Sequence, residues 1–308
     1  MNEPMIAQPV GVPRRRRLPI VIASVIGVIV LLAAGAYVFT RLPLGEQVHA
    51  LMLPKELQGA QFVSSSPKGT VVYEHTGSKY QPRMQFAGVV DSVVQTAEGY
   101  AGLKRSITGE GVHLVEMQEV VAGSASARSL SASPDGRRIA YAETSDGSVY
   151  AKDPSQWLVK VYYPDPGTTQ TVGAGFAPFF LSDTTLGWFT ALGAYQMNLE
   201  QGTVTALLSE SFTQPFEGVM VSPNRTIVAR VATDGVHVYR IDGTTMTLIN
   251  TYRLEGTNSY TLGNDALYAI RGTADGAAIW RQGFDGSLRQ ITVMPATLGV
   301  TGLILSNH

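Results

Sequence analysis

The chain contains five histidines, the side chains best suited to binding a metal or moving a proton near neutral pH. They are His49, His75, His113, His237 and His308. No two of them have a metal-binding spacing, and His113 and Glu116, three residues apart on a predicted strand, would point to opposite faces. The sequence therefore predicts no metal site and no cofactor.

Other local patterns of catalytic residues are absent from the sequence. It has no Gly-x-Ser-x-Gly elbow for a serine nucleophile, and no glycine-rich loop ending in Gly-Lys-Ser/Thr for a phosphate. It has no cysteine, which excludes disulfides, thiolate metal sites and cysteine nucleophiles. Carboxylate pairs for glycoside hydrolysis can come from distant parts of a repeat protein, so that alternative stays open.

Charge is distributed unevenly along the 308 residues, although the net charge is only −1. Residues 1–41 contain five arginines and one glutamate, and the remainder is mildly acidic. Electrostatic binding of nucleic acid requires a basic face on the folded domain. We therefore expect no nucleic-acid partner.

An uncharged run of 22 residues, at positions 18–39, is the strongest signal in the sequence. A helix of this length, at about 1.5 Å per residue, spans the roughly 30 Å hydrocarbon layer of a membrane. Four arginines precede the run and Arg41 follows it, which places the N-terminus in the cytoplasm by the positive-inside rule. We expect a cytoplasmic basic tail at residues 1–17, a transmembrane helix in the lipid bilayer at 18–40, a linker at 41–60 and an exported domain at 61–308.

A cleaved signal peptide is the alternative to this anchor. Ala34, Gly35 and Ala36 supply small residues of the kind that signal peptidase requires. The apolar run is longer than the core of a usual signal peptide, which favours an uncleaved, single-pass anchor in the cell membrane. The domain at 61–308 is exported in either case.

Beyond residue 60, short runs rich in β-branched and aromatic residues replace the long amphipathic segments typical of helices. Examples are TVVYEH, RIAYAE, WLVKVYY and TIVARVA. Asp-Gly pairs recur between such runs, and glycine accepts the positive φ of tight hairpin turns. These pairs begin at Asp135, Asp146, Asp234, Asp242, Asp275 and Asp285. The sequence therefore predicts an all-β domain of antiparallel hairpins.

The hairpins repeat with a period near 40 residues. Asp234 and Asp275 are 41 residues apart, and the pair Tyr239-Arg240 recurs as Trp280-Arg281 at the same step. A period of this size with about four strands is typical of one β-propeller blade. Residues 80–126 are harder to divide, so we predict five or six blades, with five preferred.

The last residues, TGLILSNH, have the pattern of the first strand of a further unit. A strand without neighbours would leave an unpaired edge, which folded sheets avoid. We therefore predict that the C-terminal strand pairs with strands at residues 60–76 and closes the propeller.

The turn Ser133-Pro134-Asp135-Gly136 is the clearest copy of a turn that begins each unit. Proline fixes φ at the first corner, aspartate accepts hydrogen bonds from the amides that follow, and glycine takes the left-handed corner. This favours a structural role for Asp135 over a metal-ligand role. Arg137 and Arg138 are expected at a solvated corner rather than in an anion-binding patch. Degenerate copies are Ser66-Pro67-Lys68-Gly69, Ser182-Asp183, Ser222-Pro223-Asn224 and Gly263-Asn264-Asp265.

The stretch SASPDGRRIAYAE, residues 131–143, resembles the TolB-type (WD40-like) β-propeller repeat, in which Ser-Pro-Asp-Gly precedes an apolar-Ala-Tyr or Ala-Phe strand. The resemblance implies a propeller over residues 60–308. TolB-like proteins are typically periplasmic and soluble, and they work with other proteins of the cell envelope. The predicted anchor departs from that pattern.

Together these patterns predict a membrane-anchored, exported β-propeller that binds a protein or a polymer of the cell envelope without catalysis. No catalytic, cofactor-binding or metal-binding residue is assigned. One alternative is an exported glycan- or lactone-cleaving enzyme with its site in the central channel. Another is a subunit of a membrane assembly in which the transmembrane helix itself makes contacts.

Overall fold

A computed structural model describes residues 53–77, 79–105, 112–116, 119–121, 124, 126–145, 151–215 and 218–305. Across these ranges the chain forms β-strands and three short 3-10 helices, Lys55–Leu57, Pro154–Gln156 and Ala296–Leu298. The part of the chain that is described contains no helix of the length and apolarity needed to cross a membrane. The segment predicted to do so, residues 18–40, lies outside the described ranges.

The described strands form six antiparallel sheets of four strands each. Blade 1 is unusual because its first strand comes from the end of the chain: β24 (Val300–Ile304), β1 (Gln61–Ser66), β2 (Gly69–His75) and β3 (Tyr80–Ala87). Blade 2 contains β4 (Val90–Gln95), β5 (Tyr100–Arg105), β6 (Val112–Glu116) and β7 (Glu119–Val120). Blade 3 contains β8 (Arg128–Ala132), β9 (Ile139–Thr144), β10 (Trp157–Tyr163) and β11 (Thr168–Ala174).

The other three blades follow in chain order. Blade 4 contains β12 (Phe176–Phe180), β13 (Thr185–Thr190), β14 (Gly193–Asn198) and β15 (Val204–Leu208). Blade 5 contains β16 (Val219–Val221), β17 (Ile227–Ala232), β18 (Gly235–Asp242) and β19 (Thr245–Tyr252). Blade 6 contains β20 (Ser259–Leu262), β21 (Ala266–Thr273), β22 (Gly276–Gly283) and β23 (Leu288–Pro295).

The preference for five blades is wrong, because the structure has six. The error comes from the turn Ser66-Pro67-Lys68-Gly69, which connects β1 to β2, the second and third strands of blade 1. It does not begin a unit. The turn that begins blade 2 is residues 96–99, where the Thr96 N–H donates to the Gly99 carbonyl at 2.8 Å. Thr96 lies 37 residues before Ser133, which is the spacing of one full blade.

The predicted closure of the propeller is confirmed. β24 pairs antiparallel with β1, with Phe62 opposite Leu303 and Val63 opposite Gly302. The Thr301 hydroxyl donates to the Val63 carbonyl at 3.2 Å. The last strand of the chain therefore completes the first blade, and β1 has a neighbour on both sides.

The hydrophobic core lies between the blades. One cluster joins Phe176 and Phe189 of blade 4 to Trp157 of blade 3 and Tyr239 of blade 5. A second cluster joins blades 6 and 1 and includes Leu53, Leu57 and Ala60 from before β1. Burial of a large apolar side chain contributes about 1.5–3 kcal/mol, so these contacts hold neighbouring sheets face to face.

Candidate binding site at one mouth of the central channel

The first strands of neighbouring blades contact one another, β4 with β8, β8 with β12, β12 with β16, β16 with β20 and β20 with β24, so they lie innermost around a central channel. A cavity of about 650 Å³ lies there, lined by residues of β4, β8, β16, β20, β24 and the turns that follow some of these strands. The turns that follow β4, β8 and β16 all line this cavity, so they lie at the same end of the channel. We call this end the turn mouth.

Hydrogen bonds between neighbouring turns tie the turn mouth together. The Ala97 N–H of blade 2 donates to the Gly136 carbonyl of blade 3 at 3.0 Å. The Asp135 N–H donates to Asp183 Oδ1 of blade 4 at 2.7 Å. In the same way the Asn224 N–H of blade 5 donates to Asn264 Oδ1 of blade 6 at 2.9 Å. The degenerate turns of blades 4 and 6 thus keep an acceptor for a backbone N–H of the preceding blade.

Two further bonds join other blades at this mouth. Arg225 Nη1 of blade 5 donates to the Phe180 carbonyl of blade 4 at 3.3 Å. The Thr261 hydroxyl of blade 6 donates to the Leu303 carbonyl of blade 1 at 3.0 Å. Blades 1 and 2 are joined at the opposite end of the channel, where the Ser65 hydroxyl donates to the Val90 carbonyl at 3.3 Å. Hydrogen bonds therefore link the mouth from blade 2 round to blade 1 into a rigid rim.

Asp135 uses its carboxylate within its own turn. Asp135 Oδ1 accepts from the Ser133 hydroxyl at 2.5 Å and from the Arg137 N–H at 3.0 Å, and Arg138 Nη1 lies 3.5 Å from Oδ2. Burial would raise the pKa of Asp135, but these hydrogen bonds and the nearby arginine charges outweigh it and lower the pKa. The carboxylate therefore stabilises the turn and is engaged by neighbours from its own blade.

The two arginines that follow this turn have different surroundings. Arg137 is exposed. Arg138 Nη1 donates to the Asp183 carbonyl at 2.8 Å and so links blade 3 to blade 4. The two arginines do not form one anion-binding patch, since Arg138 is hydrogen-bonded to the neighbouring blade.

Arg225 is the functional candidate that sequence reasoning missed. It has φ +62°, a left-handed conformation that costs a non-glycine residue about 1–2 kcal/mol. Its place in the turn corresponds to Gly136, which has φ +68°. The signal in the sequence is an arginine at the glycine position of a second Ser-Pro turn, Ser222-Pro223-Asn224-Arg225.

The Arg225 side chain lines the cavity and is incompletely satisfied. Its Nε atom is buried and has no hydrogen-bond partner among the described residues. Burial lowers the pKa of Arg225, and the Asp183 charge offsets this only in part. Arg225 itself is half-buried, but its Nε–H is buried without a partner, which is costly and marks this position as one where an anion would be favourable.

The rest of the described lining is mostly hydroxyl-bearing and aliphatic, with the amide of Gln95 and one aromatic residue, Tyr260. Asp135 and Arg225 are its charged members among the residues described. Thr96 lines the cavity, is 5 % exposed, and has a buried hydroxyl without a partner in the described part of the chain. The cavity is therefore lined by more polar than apolar surface, and two of its polar groups, Arg225 Nε and the Thr96 hydroxyl, have no partner in the described part of the chain.

A second polar cluster lies at the opposite end of blade 5, near the turn between β17 and β18. His237 Nδ1 is 3.1 Å from Arg230 Nη2, and Nε2 is 2.8 Å from Asp234 Oδ1. Arginine can only donate, so Nδ1 accepts and Nε2 carries the proton that is donated to Asp234. The hydrogen bond from His237 is the main reason that the pKa of Asp234 is lowered. The cluster fixes the imidazole in one tautomer and orients it.

Metal ligation finds no support in the residues that the structure describes. They contain no group of three or more His, Cys, Asp and Glu side chains placed to hold a metal ion. His49 and His308 lie outside the described ranges, and the side chain of His113 is not described.

Comparisons with known proteins support the fold and nothing finer. No family model and no curated protein matches the sequence. Among solved structures, TolB from Acinetobacter baumannii is similar over 77% of this chain and 64% of its own, with a TM-score of 0.52 and 12% identity. A puromycin-hydrolyzing peptidase from Mycobacterium tuberculosis has a TM-score of 0.45 and 14% identity. The match covers 80% of this chain and 53% of that one.

A third structure is a putative 6-phosphogluconolactonase from Bacteroides uniformis, with a TM-score of 0.46, 11% identity, and coverage of 79% of this chain and 85% of that one. This chain spans less than two thirds of the first two structures. The class that the fold defines is a six-bladed β-propeller, and its fold is similar to that of TolB.

Proposed function

We propose that this chain is a membrane-anchored, exported β-propeller that binds a protein or a polymer of the cell envelope at the turn mouth, without catalysis. The observation that carries the proposal is the cavity of about 650 Å³ at that mouth, held by a hydrogen-bonded rim. A preformed concave site on a rigid scaffold lowers the entropy cost of binding. A catalytic site would need several converging ionisable groups, whereas the described lining offers two charged side chains, one of them engaged in its turn.

Site-specific photo-cross-linking in living cells tests the binding proposal. A photoreactive residue is placed at Pro134, which is exposed and lines the cavity, in the full-length chain. The matched control places it at Leu192, which is 72% exposed in the turn between β13 and β14, at the opposite end of blade 4. We expect a discrete adduct from position 134 and none from position 192.

Two results would contradict the proposal. In the cross-linking experiment, absence of an adduct at position 134, or equal adducts at both positions, would remove the turn mouth as the binding site. In a separate assay, turnover of a glycan or a lactone by the purified chain would show that the protein is an enzyme.

The anchor is tested separately. The support for it is the uncharged run at 18–39 with arginines before it, which is long enough to span a bilayer. We expect alkaline phosphatase fused after residue 308 to be active in bacterial cells and to fractionate with membranes, and to lose both properties when residues 18–40 are deleted. Recovery of a protein whose N-terminus follows Ala36 would instead establish a cleaved signal peptide and an untethered propeller.

A further inference from the structure

Arg225 has a strained backbone and a buried, unpaired Nε–H, and its hydrogen bond to blade 4 does not explain both costs. Its counterpart in blade 3 is Gly136, which adopts the same left-handed conformation without steric cost. The structural task of Arg225 is one hydrogen bond from Nη1 to the Phe180 carbonyl. A guanidinium carries five N–H groups, and the Nε–H stays buried without a partner among the described residues. Non-glycine residues held in this conformation cluster at functional sites.

The residues around Arg225 favour a negatively charged ligand. It is the one cation among the described residues that line the cavity, and aliphatic side chains such as Val221 and Leu262 lie along the same lining. Asp135, the anion of the lining, belongs to blade 3 and is engaged by Ser133 and the Arg137 N–H. A second unsatisfied group, the Thr96 hydroxyl, is 95 % buried in blade 2, on the opposite side of the mouth.

We propose that Arg225 forms a carboxylate-binding subsite in the turn mouth, and that the ligand also presents a hydrogen-bonding group to Thr96. The planar guanidinium suits a carboxylate, because two N–H groups can donate to its two oxygens. A hydrogen bond to a carboxylate is shorter and stronger than one to a neutral acceptor, and burial strengthens it further. The strain at Arg225 is thereby explained as the cost of placing a cation inside the channel.

This inference rests on the proposed function in taking the turn mouth as the binding site. The carboxylate could belong to a free organic acid or to an acidic side chain of a protein partner. Two probes separate these sources: glutarate, and the blocked peptide acetyl-Gly-Glu-Gly-amide. The peptide acetyl-Gly-Gln-Gly-amide, which has the same shape without the charge, is the control.

The experiment uses the full 308-residue chain in detergent micelles, labelled with ¹⁵N in its arginines. The Nε–H resonance of Arg225, assigned from its absence in Arg225→Lys, is followed during titration. We expect it to shift with glutamate peptide or glutarate and not with glutamine peptide, with dissociation constants of about millimolar order. Binding at this level is sufficient for one subsite of a larger ligand.

Two variants test whether probe binding depends on Arg225 itself. Arg225→Gly suits the left-handed turn, so it should fold with an unchanged or higher midpoint of thermal unfolding and should weaken probe binding about tenfold or more. Arg137→Gln removes an equal charge from an exposed site outside the cavity lining and should leave binding unchanged.

An unmoved Arg225 resonance, or equal binding by Arg225→Gly, overturns the subsite. If an adduct still forms at position 134, the proposed function stands and the carboxylate inference alone fails. A shift with glutarate but not with the peptide assigns the subsite to free organic acids. The reverse result assigns it to an acidic side chain of a partner.

Discussion

Gly136 sits where two turns of neighbouring blades touch. A Cβ atom on Gly136 would lie 2.3 Å from the Ala97 nitrogen, a distance that no real Cβ contact has. Gly167, in the turn between β10 and β11, has nearly the same φ, +63° against +68°, but a Cβ there would have nothing within 4 Å. Substitution of the two glycines therefore separates the cost of a left-handed backbone, which both positions share, from the cost of a steric clash, which only Gly136 has.

We expect Gly167→Ala to lower the free energy of unfolding by about 1–2 kcal/mol, the cost of the left-handed conformation alone. Gly136→Ala should lower it by roughly a further 1–3 kcal/mol, because the two turns must move apart. Urea unfolding followed by circular dichroism measures both. Equal losses in the two variants would contradict the close packing of blades 2 and 3.

Asp135 gives the turn a dependence on pH. Its pKa is lowered in the folded protein, so its carboxylate stabilises the fold above the ordinary pKa of aspartate and loses this effect as pH falls through the lowered value. We expect wild type to be more stable than Asp135→Asn at pH 7, and the difference to shrink below about pH 4. Urea unfolding at several pH values measures this. A difference that is independent of pH would assign the role to shape and not to charge.

At the scale of elements, β24 is the strand on which closure depends. It contributes Val300 and Leu303 to the core between blades 6 and 1, and without it β1 would have an exposed edge. We expect a chain that ends at Gly299 to lose cooperative unfolding. A chain that ends at Leu305 keeps β24 and should unfold like the full chain. Thermal unfolding followed by tryptophan fluorescence compares them, and similar cooperativity in both would contradict this role for β24.

The outermost strand of blade 5, β19, has the sequence TMTLINTY and carries neither charge nor proline. Natural edge strands usually contain such residues because they prevent pairing with other molecules. Leu248 on β19 and Leu288 on β23 are similarly exposed, at 49% and 47%, but Leu288 precedes Arg289.

We therefore expect Leu248→Lys to reduce heat-induced aggregation several-fold without a change in the unfolding midpoint, since a charge on a bare edge opposes strand pairing. Leu288→Lys should have a smaller effect, because its strand already has a charge. Light scattering during heating measures both. Equal suppression would show that net charge, and not the edge of β19, controls aggregation.

The elements were largely predictable from sequence, and the site was not. The turn at residues 133–136 and the closing strand have strong local signals, because turn glycines and unpaired edges restrict the options. Residues 96–99 escaped notice, since Ala97 and Glu98 replace proline and aspartate and the turn is shorter. The Thr96 N–H donates to the Gly99 carbonyl, whereas the Ser133 N–H donates to the Arg138 carbonyl. Arg225 could not be recognised as a channel residue because its significance depends on φ and on burial among strands far apart in sequence.

At the scale of the whole molecule, the hydrogen-bonded rim and the shared cores should make the six blades unfold together. Trp157 and Trp188 report on blades 3 and 4, and Trp280 reports on blade 6. Trp280→Phe leaves the fluorescence of blades 3 and 4, and the double variant Trp157→Phe, Trp188→Phe leaves that of blade 6. We expect each variant to have one urea midpoint, the same by fluorescence as by circular dichroism. Separate midpoints would reveal blades that unfold independently.

The pairing of β24 with β1 also fixes when the molecule can finish folding. Of the described strands, β24 leaves the ribosome last, and its partner is made first, so blade 1 must wait for more than two hundred intervening residues. Closure of the ring is therefore delayed until synthesis is nearly complete. That delay would suit the export we propose, because a polypeptide without its final tertiary structure is narrow enough to thread through a secretion pore.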